Sequence, residues 1–244
     1  ITAKNLEDQF VKVCHDEGIE LHIIAGNHDC YYKNTNDVNS LNQLYSNSKY
    51  DNMNMYWNEP VELDFDGCRI MLSPWICKSN YESSMDAFRD TSAQILMGHF
   101  EISGYEMMKG QLCEDGLDRS IFQKFDAVYS GHFHHPSSHR NITYLGAPYE
   151  MNWSDCDQPR GFNIFDTSTR EMTHVPNPYK IHHKILYSDE DMTIEDVAEL
   201  DTSLLTNAFI KVIVREKNNP YIFDLFMDRP QQSGAADIKV VEDH

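Results

Sequence analysis

The sequence contains no apolar run of the length that a membrane-spanning helix needs, which is about 20 residues. Its first residues also lack the basic and apolar progression of a signal peptide. With 244 residues, of which 41% are hydrophobic, the chain is long enough to bury a core. We therefore expect a globular protein that has no membrane contact and works in the cytoplasm.

The sequence also lacks a cysteine pattern typical of disulfide or zinc frameworks, because the six cysteines form no C-x-x-C pair. They are scattered along the chain as Cys14, Cys30, Cys68, Cys77, Cys113 and Cys156. This distribution argues against a disulfide scaffold and against structural zinc, and it fits a reducing compartment.

Positive charge is also scarce, since 20 Lys and Arg face 39 Asp and Glu, for a net charge of -19. This balance argues against a protein that holds nucleic acid by bulk electrostatics. A bound divalent ion or a partner subunit could still supply a positive field locally.

The chain opens with a predicted helix over residues 4–17, which Gly18 ends, and a predicted strand over residues 21–25. A helix that leads directly into a buried strand is typical of the second half of a βαβ unit. We therefore expect the chain to begin in mid-fold, in keeping with a first residue that is Ile1 rather than Met.

Further short runs bounded by Gly, Pro or Asp predict strands at residues 61–65, 69–72, 94–97, 127–130, 143–145 and 162–165. Residues 32–58 are rich in Asn, Ser and Tyr and predict a long loop with a short helix near 41–45. Such a loop is usually functional or part of an interface.

Pro176 and Pro178 mark a domain boundary, which divides the chain into residues 1–177 and 178–244. The second part predicts strands at 184–187 and 209–214 and a helix opened by Thr193 with Asp196 three positions on. Residues 231–244 contain little that could pack, so we expect a frayed or incomplete end there.

Three motifs follow predicted strands directly: Gly26-Asn27-His28-Asp29, Gly98-His99 and Gly131-His132-Phe133-His134. Because sites in open α/β sheets form at the carboxyl ends of the strands, these motifs are expected to meet in one crevice. Imidazole and amide oxygen are suitable ligands for Mn, Fe or Zn. A lone Asn-His-Asp is more often a self-capping loop, but the three motifs together favour a metal site.

The spacing of His132 and His134 is two residues, so in extended backbone their side chains point to opposite sides. That arrangement suits ligands of two different ions. Two ions about 3.5 to 4 Å apart can hold a phosphodiester and activate the attacking water.

These motifs, in this order, resemble those of the calcineurin-like metallophosphoesterases. Within that family the DNA-repair nuclease branch is similar at Asp64-Phe65-Asp66-Gly67, Pro74-Trp75, Gly146-Ala147-Pro148-Tyr149 and Pro159-Arg160-Gly161-Phe162. Within this branch the segments most resemble those of the phage recombination nuclease subunit and of its bacterial relative SbcD. The resemblance implies an α/β fold, a β-sandwich flanked by helices, with a small α+β capping and DNA-binding domain.

The resemblance also implies a site with two divalent ions, for which manganese is the expected metal. One ion would be bound by Asn27, His99 and His132, and the other by His134. His28 would be the catalytic histidine, and Asp29 would orient a neighbouring side chain.

The implied function is a DNA nuclease subunit for recombination or repair, with exonuclease activity on double strands and endonuclease activity on single strands. It would form a homodimer and join an SbcC-type, SMC-like ATPase, in host cytoplasm if a phage encodes it. The alternatives are a small-molecule phosphodiesterase or phosphatase of the same fold, and an inactive scaffold for the ATPase.

One departure from the family pattern bears on activity. The family's first two motifs, an Asp-x-His and a Gly-Asp-x-x-Asp, have no counterpart in this sequence. We therefore expect this polypeptide alone to bind at most one metal ion, weakly, and to have little nuclease activity.

The other histidines and the aromatic residues are expected to have structural or surface roles outside the metal site. His22 is interpreted as a structural histidine, and His135, His139, His182 and His183 as rim or solvent residues. Trp75 and Trp153 are expected in the core or in a pocket wall. A tyrosine-rich set is interpreted as a dimer seam rather than a stacking surface for DNA: Tyr31, Tyr32, Tyr45, Tyr50, Tyr56 and Trp57.

Overall fold

The structure is a computed structural model that describes residues 2–108, 110–190 and 192–242. The described residues form two compact units. The first comprises residues 2–147 and Asn163–His174, and the second comprises Pro148–Phe162 and residues 175–242. The sequence places the boundary after residue 177, whereas this division assigns Pro148–Phe162 to the second unit as well. Among the described helices, none has the length and apolar character to cross a membrane.

The first unit is a mixed α/β structure built mainly from short strands. Its strands are β1 Leu21–Ile24, β2 Met53–Tyr56, β3 Val61–Phe65, β4 Cys68–Ser73, β5 Ile95–His99, β6 Glu106–Met108, β7 Gln111–Leu112, β8 Ala127–Gly131, β9 Ser137–His139 and β10 Ile142–Tyr144. Its helices are α1 Thr2–Leu6, a π-helical segment Glu7–Val11, α2 Lys12–Asp16, α3 Ser40–Tyr45, α4 Tyr81–Asp90 and a 3-10 turn Arg119–Phe122. The expected helix at 4–17 is therefore present with a π-helical middle.

The main sheet has six strands in the order β3-β4-β5-β8-β10-β9. The four inner strands run parallel, and the edge strands β3 and β9 are antiparallel to their neighbours. Strand β1 pairs with β2 in a separate parallel sheet. The carboxyl ends of β4, β5 and β8 consequently lie side by side at one edge of the main sheet.

Both faces of the main sheet are buried. On one face an aromatic cluster includes Phe88 of α4, Phe100, Phe122 and Tyr144, each at most 2% exposed. Burying side chains of this size contributes about 1.5 to 3 kcal/mol each. On the other face the β4 and β5 residues contact Ile24 of β1, which ties the first motif segment to the main sheet.

A separate two-stranded ladder is formed by β11 Gly161–Phe165 and β12 Met172–Pro176. Within the first unit, Phe165 packs on Tyr129 with ring centroids 5.7 Å apart. Arg170 lies in the turn and donates a hydrogen bond to the Gln94 side chain over 2.6 Å.

The second unit is a three-stranded parallel sheet, β13 His182–Ser188, β14 Phe209–Glu216 and β15 Asp237–Glu242, with β14 in the centre. Two helices, α5 Ile194–Ala198 and α6 Pro220–Gln232, pack on one face around Tyr187, Val212 and Phe226. Thr193 and Asp196 form the capping box expected from the sequence.

Two predictions for the second unit are wrong. The expected frayed end at 231–244 contains β15, because all residues of this strand pair in register with β14 and Ile238 joins the core. Asp243 and His244 lie outside the described residues. His182, interpreted as a rim residue, is 6% exposed because it lies between the rings of Trp153 and Phe209.

Candidate metal centre

The second and third motifs are adjacent because their strands are neighbours. His99 ends β5 and pairs in register with Gly131, the last residue of β8, so His132 follows directly beside it. The first motif is brought to the same edge by a hydrogen bond from the Trp75 backbone N–H to the Ala25 carbonyl, 2.8 Å long. Neighbouring parallel strands thus bring the second and third motifs together, and the backbone hydrogen bond joins the first motif's segment to the chain that follows β4.

Three side-chain atoms from three motifs converge there. His99 Nε2 lies 2.9 Å from Asn27 Oδ1, and His132 Nδ1 lies 3.3 Å from His99 Nε2. Separations of about 3 Å between donor atoms are what ligands of one ion require, since each sits roughly 2.0 to 2.2 Å from the metal. The structure therefore brings Asn27, His99 and His132 together as one possible ligand set.

Packing fixes the His99 ring. A Cβ atom at Gly26 would lie 3.0 Å from the ring, and one at Gly131 would lie 3.1 Å from His99 Nδ1. Trp75 covers the site, with its ring centroid 6.0 Å from that of His99 and 5.2 Å from that of His132. Glycine at both positions lets the imidazole approach the backbone, and Trp75 is a wall of the site as expected.

The backbone of His132 is strained. Its φ is +88°, a region that side chains other than glycine rarely adopt. Strain of this kind costs on the order of 1 to 3 kcal/mol and clusters at functional sites. Here the strained backbone turns the His132 ring toward His99.

The electrostatics of the pair favour neutral imidazoles. Burial, followed by the neighbouring His132, lowers the pKa of His99 from its ordinary value of 6.5 to about 4. Burial also lowers the pKa of His132, against an opposing effect of Glu101. A neutral imidazole has a free ring nitrogen, which is the form that binds a metal ion.

Asp29 holds the turn of the first motif. Its carboxylate accepts hydrogen bonds from the Gly26 backbone N–H over 2.8 Å and from the Ser40 hydroxyl over 2.7 Å. The carboxylate therefore fixes the turn that presents Asn27, and joins that turn to the start of α3.

His28 and His134 flank the cluster without contributing to its three converging atoms. His28 is exposed, and His134 is half-buried. Both lower the pKa of His99 and of His132 through charge, which places them within electrostatic range of the pair.

Two residues near the site were missed by the sequence analysis. Glu101 Oε2 lies 3.9 Å from His132 Nε2, on the side of the ring opposite to His99. Together with Trp75, His99 and Asp115 it lines a cavity of about 150 Å³.

Asn36, the second of these residues, is fully buried and donates to the backbone carbonyls of Trp57 (2.8 Å) and Trp75 (2.7 Å).

The donor set suits a divalent ion that accepts mixed ligands, namely two imidazole nitrogens and one amide oxygen. In the part of the chain that the structure describes, no three His, Cys, Asp or Glu side chains converge on one point. The amide oxygen of Asn27 is thus the third of the converging atoms, beside two imidazole nitrogens.

Comparison with known proteins gives two informative matches. The chain is 36% identical over 218 residues to exonuclease subunit 1 of Enterobacteria phage T4, covering 88% of this chain and 61% of that protein. It is also 26% identical over 98 residues to the SbcD subunit of the nuclease SbcCD from Staphylococcus saprophyticus. The chain is thus similar to subunits of two nucleases. These matches confirm the expected resemblance to phage recombination nuclease subunits and SbcD-like proteins, and the metallophosphoesterase assignment stays a prediction.

The coverage of these matches is partial. The chain spans about 61% of the length of the phage protein, and the second match covers 37% of this chain and 26% of the bacterial protein. No family model matches the chain. The matches therefore show which proteins the chain is similar to, and its activity and partners are proposals.

The remaining side-chain expectations have mixed outcomes. His22 is a structural histidine as predicted, with Nδ1 3.0 Å from the Tyr56 hydroxyl. The tyrosine-rich set does not form one surface, because Tyr45 is 7% exposed whereas Tyr31 and Tyr32 are 78% and 51% exposed. A dimer seam through all of these residues is therefore not supported.

Proposed function

We propose that this chain is the nuclease part of a metal-dependent DNA nuclease subunit that hydrolyses phosphodiesters. Its activities would be exonuclease on double strands and endonuclease on single strands, in recombination or repair. The observation that carries the proposal is the convergence of Asn27 Oδ1, His99 Nε2 and His132 Nδ1 at strand ends, in a chain homologous to two nuclease subunits.

In this proposal the cluster holds one divalent ion, manganese by preference, and His134 holds a second. The ions would neutralise charge on the phosphate and lower the pKa of the attacking water. The chain's own contribution is to keep both imidazoles neutral by burial, to present the Asn27 amide oxygen, and to restrict the site with the Trp75 wall.

His28 is the proposed catalytic histidine. It lies beside the ligand Asn27 and is exposed, so a phosphate bound at the cluster can reach its imidazole. At the rim, it can donate a proton to the leaving sugar oxygen. A positioned acid of this type typically contributes about 10² to 10⁴-fold in rate.

The proposed partners follow from the relatives. One relative is subunit 1 of an exonuclease and the other is the SbcD subunit of SbcCD, so both belong to complexes. For this chain we propose an SbcC-type, SMC-like ATPase as the partner, DNA as the substrate, and a homodimer as the working form.

The test is cleavage by the protein at its natural length with Mn²⁺, on linear duplex DNA, circular single-stranded DNA and a nitrophenyl phosphodiester. We expect both DNA substrates to be cut, and His28→Ala to lower the rate at least about 100-fold. His139→Ala, which changes an exposed histidine outside the cluster, should leave the rate unchanged.

Two results would contradict the proposal. Cleavage of the nitrophenyl diester without cleavage of either DNA would favour a small-molecule phosphodiesterase. Cleavage of none of the three, by a protein that still assembles with the ATPase, would favour a scaffold.

A further inference from the structure

Three residues stand in register across the main sheet, next to the second motif. Gly98 of β5 pairs with Ser130 of β8, which pairs with Tyr144 of β10. Residues in register on parallel strands point to the same face. Here that face carries the aromatic cluster, and Ser130 and Tyr144 are both fully buried. The row therefore places two hydroxyl groups inside the core, one strand and two strands away from Gly98.

The chain that leaves β5 folds back over this row. Phe100 follows His99, and its ring lies so close to Gly98 that a Cβ atom there would be 2.2 Å from a ring atom. The Phe100 backbone N–H donates to Ser130 Oγ over 3.0 Å. The first residue after the proposed ligand His99 is thus held by the close approach at Gly98 and by the Ser130 hydroxyl.

The Tyr144 hydroxyl holds the two peptide groups on either side of Glu101. It donates to the Phe100 carbonyl over 3.0 Å and accepts from the Ile102 N–H over 3.1 Å. The carbonyl of Glu101 itself accepts a hydrogen bond of 2.7 Å from the Leu117 N–H. Three consecutive residues beyond the end of β5 are therefore fixed at the backbone, with Glu101 in the middle.

The hydroxyl of Tyr144 is explained by this backbone contact better than by packing. Burial raises the pKa of the Tyr144 phenol above its ordinary value of 10, so at neutral pH the group keeps its proton and can donate and accept. A buried hydroxyl costs free energy unless it is hydrogen-bonded. Since phenylalanine would fill the same space without that cost, the hydroxyl indicates a requirement for the turn that it holds.

The turn determines where the Glu101 carboxylate lies. Glu101 Oε2 is 3.9 Å from His132 Nε2, and Oε1 accepts a hydrogen bond of 3.8 Å from the Cys113 thiol. The other ring nitrogen, His132 Nδ1, faces His99 Nε2. A carboxylate beside Nε2 favours the tautomer with the proton on that nitrogen, which leaves Nδ1 for a metal ion.

Tyr144 also contacts the third motif. Its ring stacks on the ring of Phe133, with centroids 4.6 Å apart and planes at 28°. Phe133 stands between His132 and His134 in the sequence. One buried side chain therefore touches the segment after the second motif through its hydroxyl and the third motif through its ring.

We propose that Tyr144 is a positioning residue of the metal centre, whose hydroxyl holds the turn after His99 and thereby places the Glu101 carboxylate at His132. This inference rests on the proposed metal site and extends it to a residue of the core. Outer contacts of a metal ligand orient the ligand and increase its affinity for the ion. Because Tyr144 acts through Glu101, removal of its hydroxyl should matter only while the carboxylate is present.

The competing interpretation is that the hydroxyl only stabilises the core. In Tyr144→Phe the Phe100 carbonyl and the Ile102 N–H lose their buried partner, so the unfolding free energy should fall under either interpretation. Stability therefore does not separate the two. The affinity of the folded chain for a metal ion does, because a purely structural role leaves that affinity unchanged.

The experiment is a double-mutant cycle in Mn²⁺ affinity, measured on the full chain by electron paramagnetic resonance of the free ion. Circular dichroism verifies that each variant is folded. We expect Tyr144→Phe to weaken Mn²⁺ binding roughly tenfold. In the Glu101→Gln background the same substitution should weaken binding by less than about twofold, because the residue through which it acts is already changed.

Two further variants complete the cycle. Tyr105→Phe is the matched control, since this buried tyrosine packs on Tyr144 with ring centroids 5.2 Å apart but donates to the His139 carbonyl. It should leave the Mn²⁺ affinity unchanged. Ser130→Ala removes the acceptor of the Phe100 N–H in the same turn, and its effect should show the same dependence on Glu101. It decides the question if Tyr144→Phe does not fold.

A second measurement needs no metal ion. In EDTA, long-range ¹H–¹⁵N correlation spectra of the histidine rings show which ring nitrogen carries the proton. We expect the proton of His132 on Nε2 in the parent and in Tyr105→Phe. In Tyr144→Phe and in Glu101→Gln we expect a mixture of both tautomers, because the carboxylate is displaced or absent.

Four outcomes decide the matter. Full Mn²⁺ affinity in folded Tyr144→Phe, or an equal loss in Tyr105→Phe, would overturn the proposal. Additive losses from Tyr144→Phe and Glu101→Gln would also overturn it, since the hydroxyl would then act by another route. Absence of Mn²⁺ binding by the parent chain would contradict the metal centre itself, and the His132 tautomer in EDTA would then decide whether Tyr144 places Glu101.

Discussion

His132 Nδ1 lies 3.3 Å from His99 Nε2, although the two histidines are 33 residues apart in the chain. The approach occurs with a strained φ of +88° at His132, and burial, followed by the neighbouring His132, lowers the pKa of His99 to about 4. The strain costs folding free energy, and the lowered pKa adds a cost as the pH falls below about 6.5. Both occur where a third atom, Asn27 Oδ1, lies 2.9 Å from His99 Nε2 and completes the proposed ligand set.

Adding one methyl group at Gly26 should impair the site while leaving the fold in place. In Gly26→Ala the new Cβ would lie 3.0 Å from the His99 ring, so the ring must shift by a few tenths of an ångström. We expect Mn²⁺ affinity to fall roughly tenfold, measured by calorimetry, with the unfolding free energy changed by less than about 1 kcal/mol. Unchanged Mn²⁺ affinity would show that the position of this ring is not critical.

The contrasting substitution is Gly98→Ala, one residue before His99. Its Cβ would overlap the ring of Phe100, which is 1% exposed and packed in the aromatic cluster. We expect a loss of about 1 to 3 kcal/mol in unfolding free energy from overpacking, measured by urea denaturation. A fully stable Gly98→Ala would mean that the aromatic cluster packs differently.

The stability of the chain should fall between pH 7.5 and pH 5.5 partly because of His99. The pKa of His99 falls from its ordinary value of 6.5, which applies to the unfolded chain, to about 4 in the folded chain. Between pH 7.5 and pH 5.5 the unfolded chain therefore takes up a proton that the folded chain does not. Stability therefore decreases as the pH falls, by about 1.4 kcal/mol from this group at pH 5.5. In His99→Gln the unfolding free energy, measured by urea denaturation at the two pH values, should fall by a correspondingly smaller amount between them. Equal losses in both proteins would contradict the assigned pKa.

Glu101→Gln should weaken metal binding without loss of fold. The carboxylate lies 3.9 Å from His132 Nε2 and raises the pKa of that ring against the effect of burial. Outer carboxylates of this kind increase the basicity of the ligand, and their removal typically costs about 10 to 100-fold in metal affinity. Glu106→Gln, which changes the carboxylate near His135 instead, is the matched control in the same titration. Equal effects of the two substitutions would exclude a special role for Glu101.

Asn36→Ala should destabilise the loop that carries the first motif. The substitution leaves the carbonyls of Trp57 and Trp75 without their buried donor, at about 1 to 3 kcal/mol for each such group. We expect a loss of about 2 to 5 kcal/mol in urea denaturation. Asn34→Ala, at an exposed position in the same loop, should stay within about 0.5 kcal/mol of the parent.

The predictable parts of the fold are the elements whose residue pattern in the sequence matches the place they take in the folded chain. Strands β5 and β8 are short apolar runs followed by Gly-His, and their ends coincide with the motifs. Because neighbouring parallel strands end at the same edge, the proximity of His99 and His132 followed from order and strand type alone. The strain at His132 and the contact with Glu101 could not, since both depend on the exact course of the chain beyond the strand.

The elements that the sequence analysis missed have weak local patterns. Helix α6 begins with an Asn219 cap and Pro220 in its first turn, where proline is compatible with a helix, but Pro230 inside it suggests a break. Strand β15 alternates, but only Ile238 among its residues joins the core. Strand β2 lies in the Asn-rich loop and is defined by its pairing with β1, 32 positions earlier in register. Long-range pairing, which a single sequence does not display, determines these elements.

Counting the imidazoles bound to one metal ion tests the shared ligand set of His99 and His132. With one equivalent of Mn²⁺ and histidines labelled with ¹⁵N, electron spin-echo envelope modulation reports the ring nitrogens that contact the ion. We predict two imidazole nitrogens, falling to one in His132→Ala and remaining two in His139→Ala. Coupling to no imidazole nitrogen, or a count unaffected by His132→Ala, would contradict the claim that His99 and His132 share an ion.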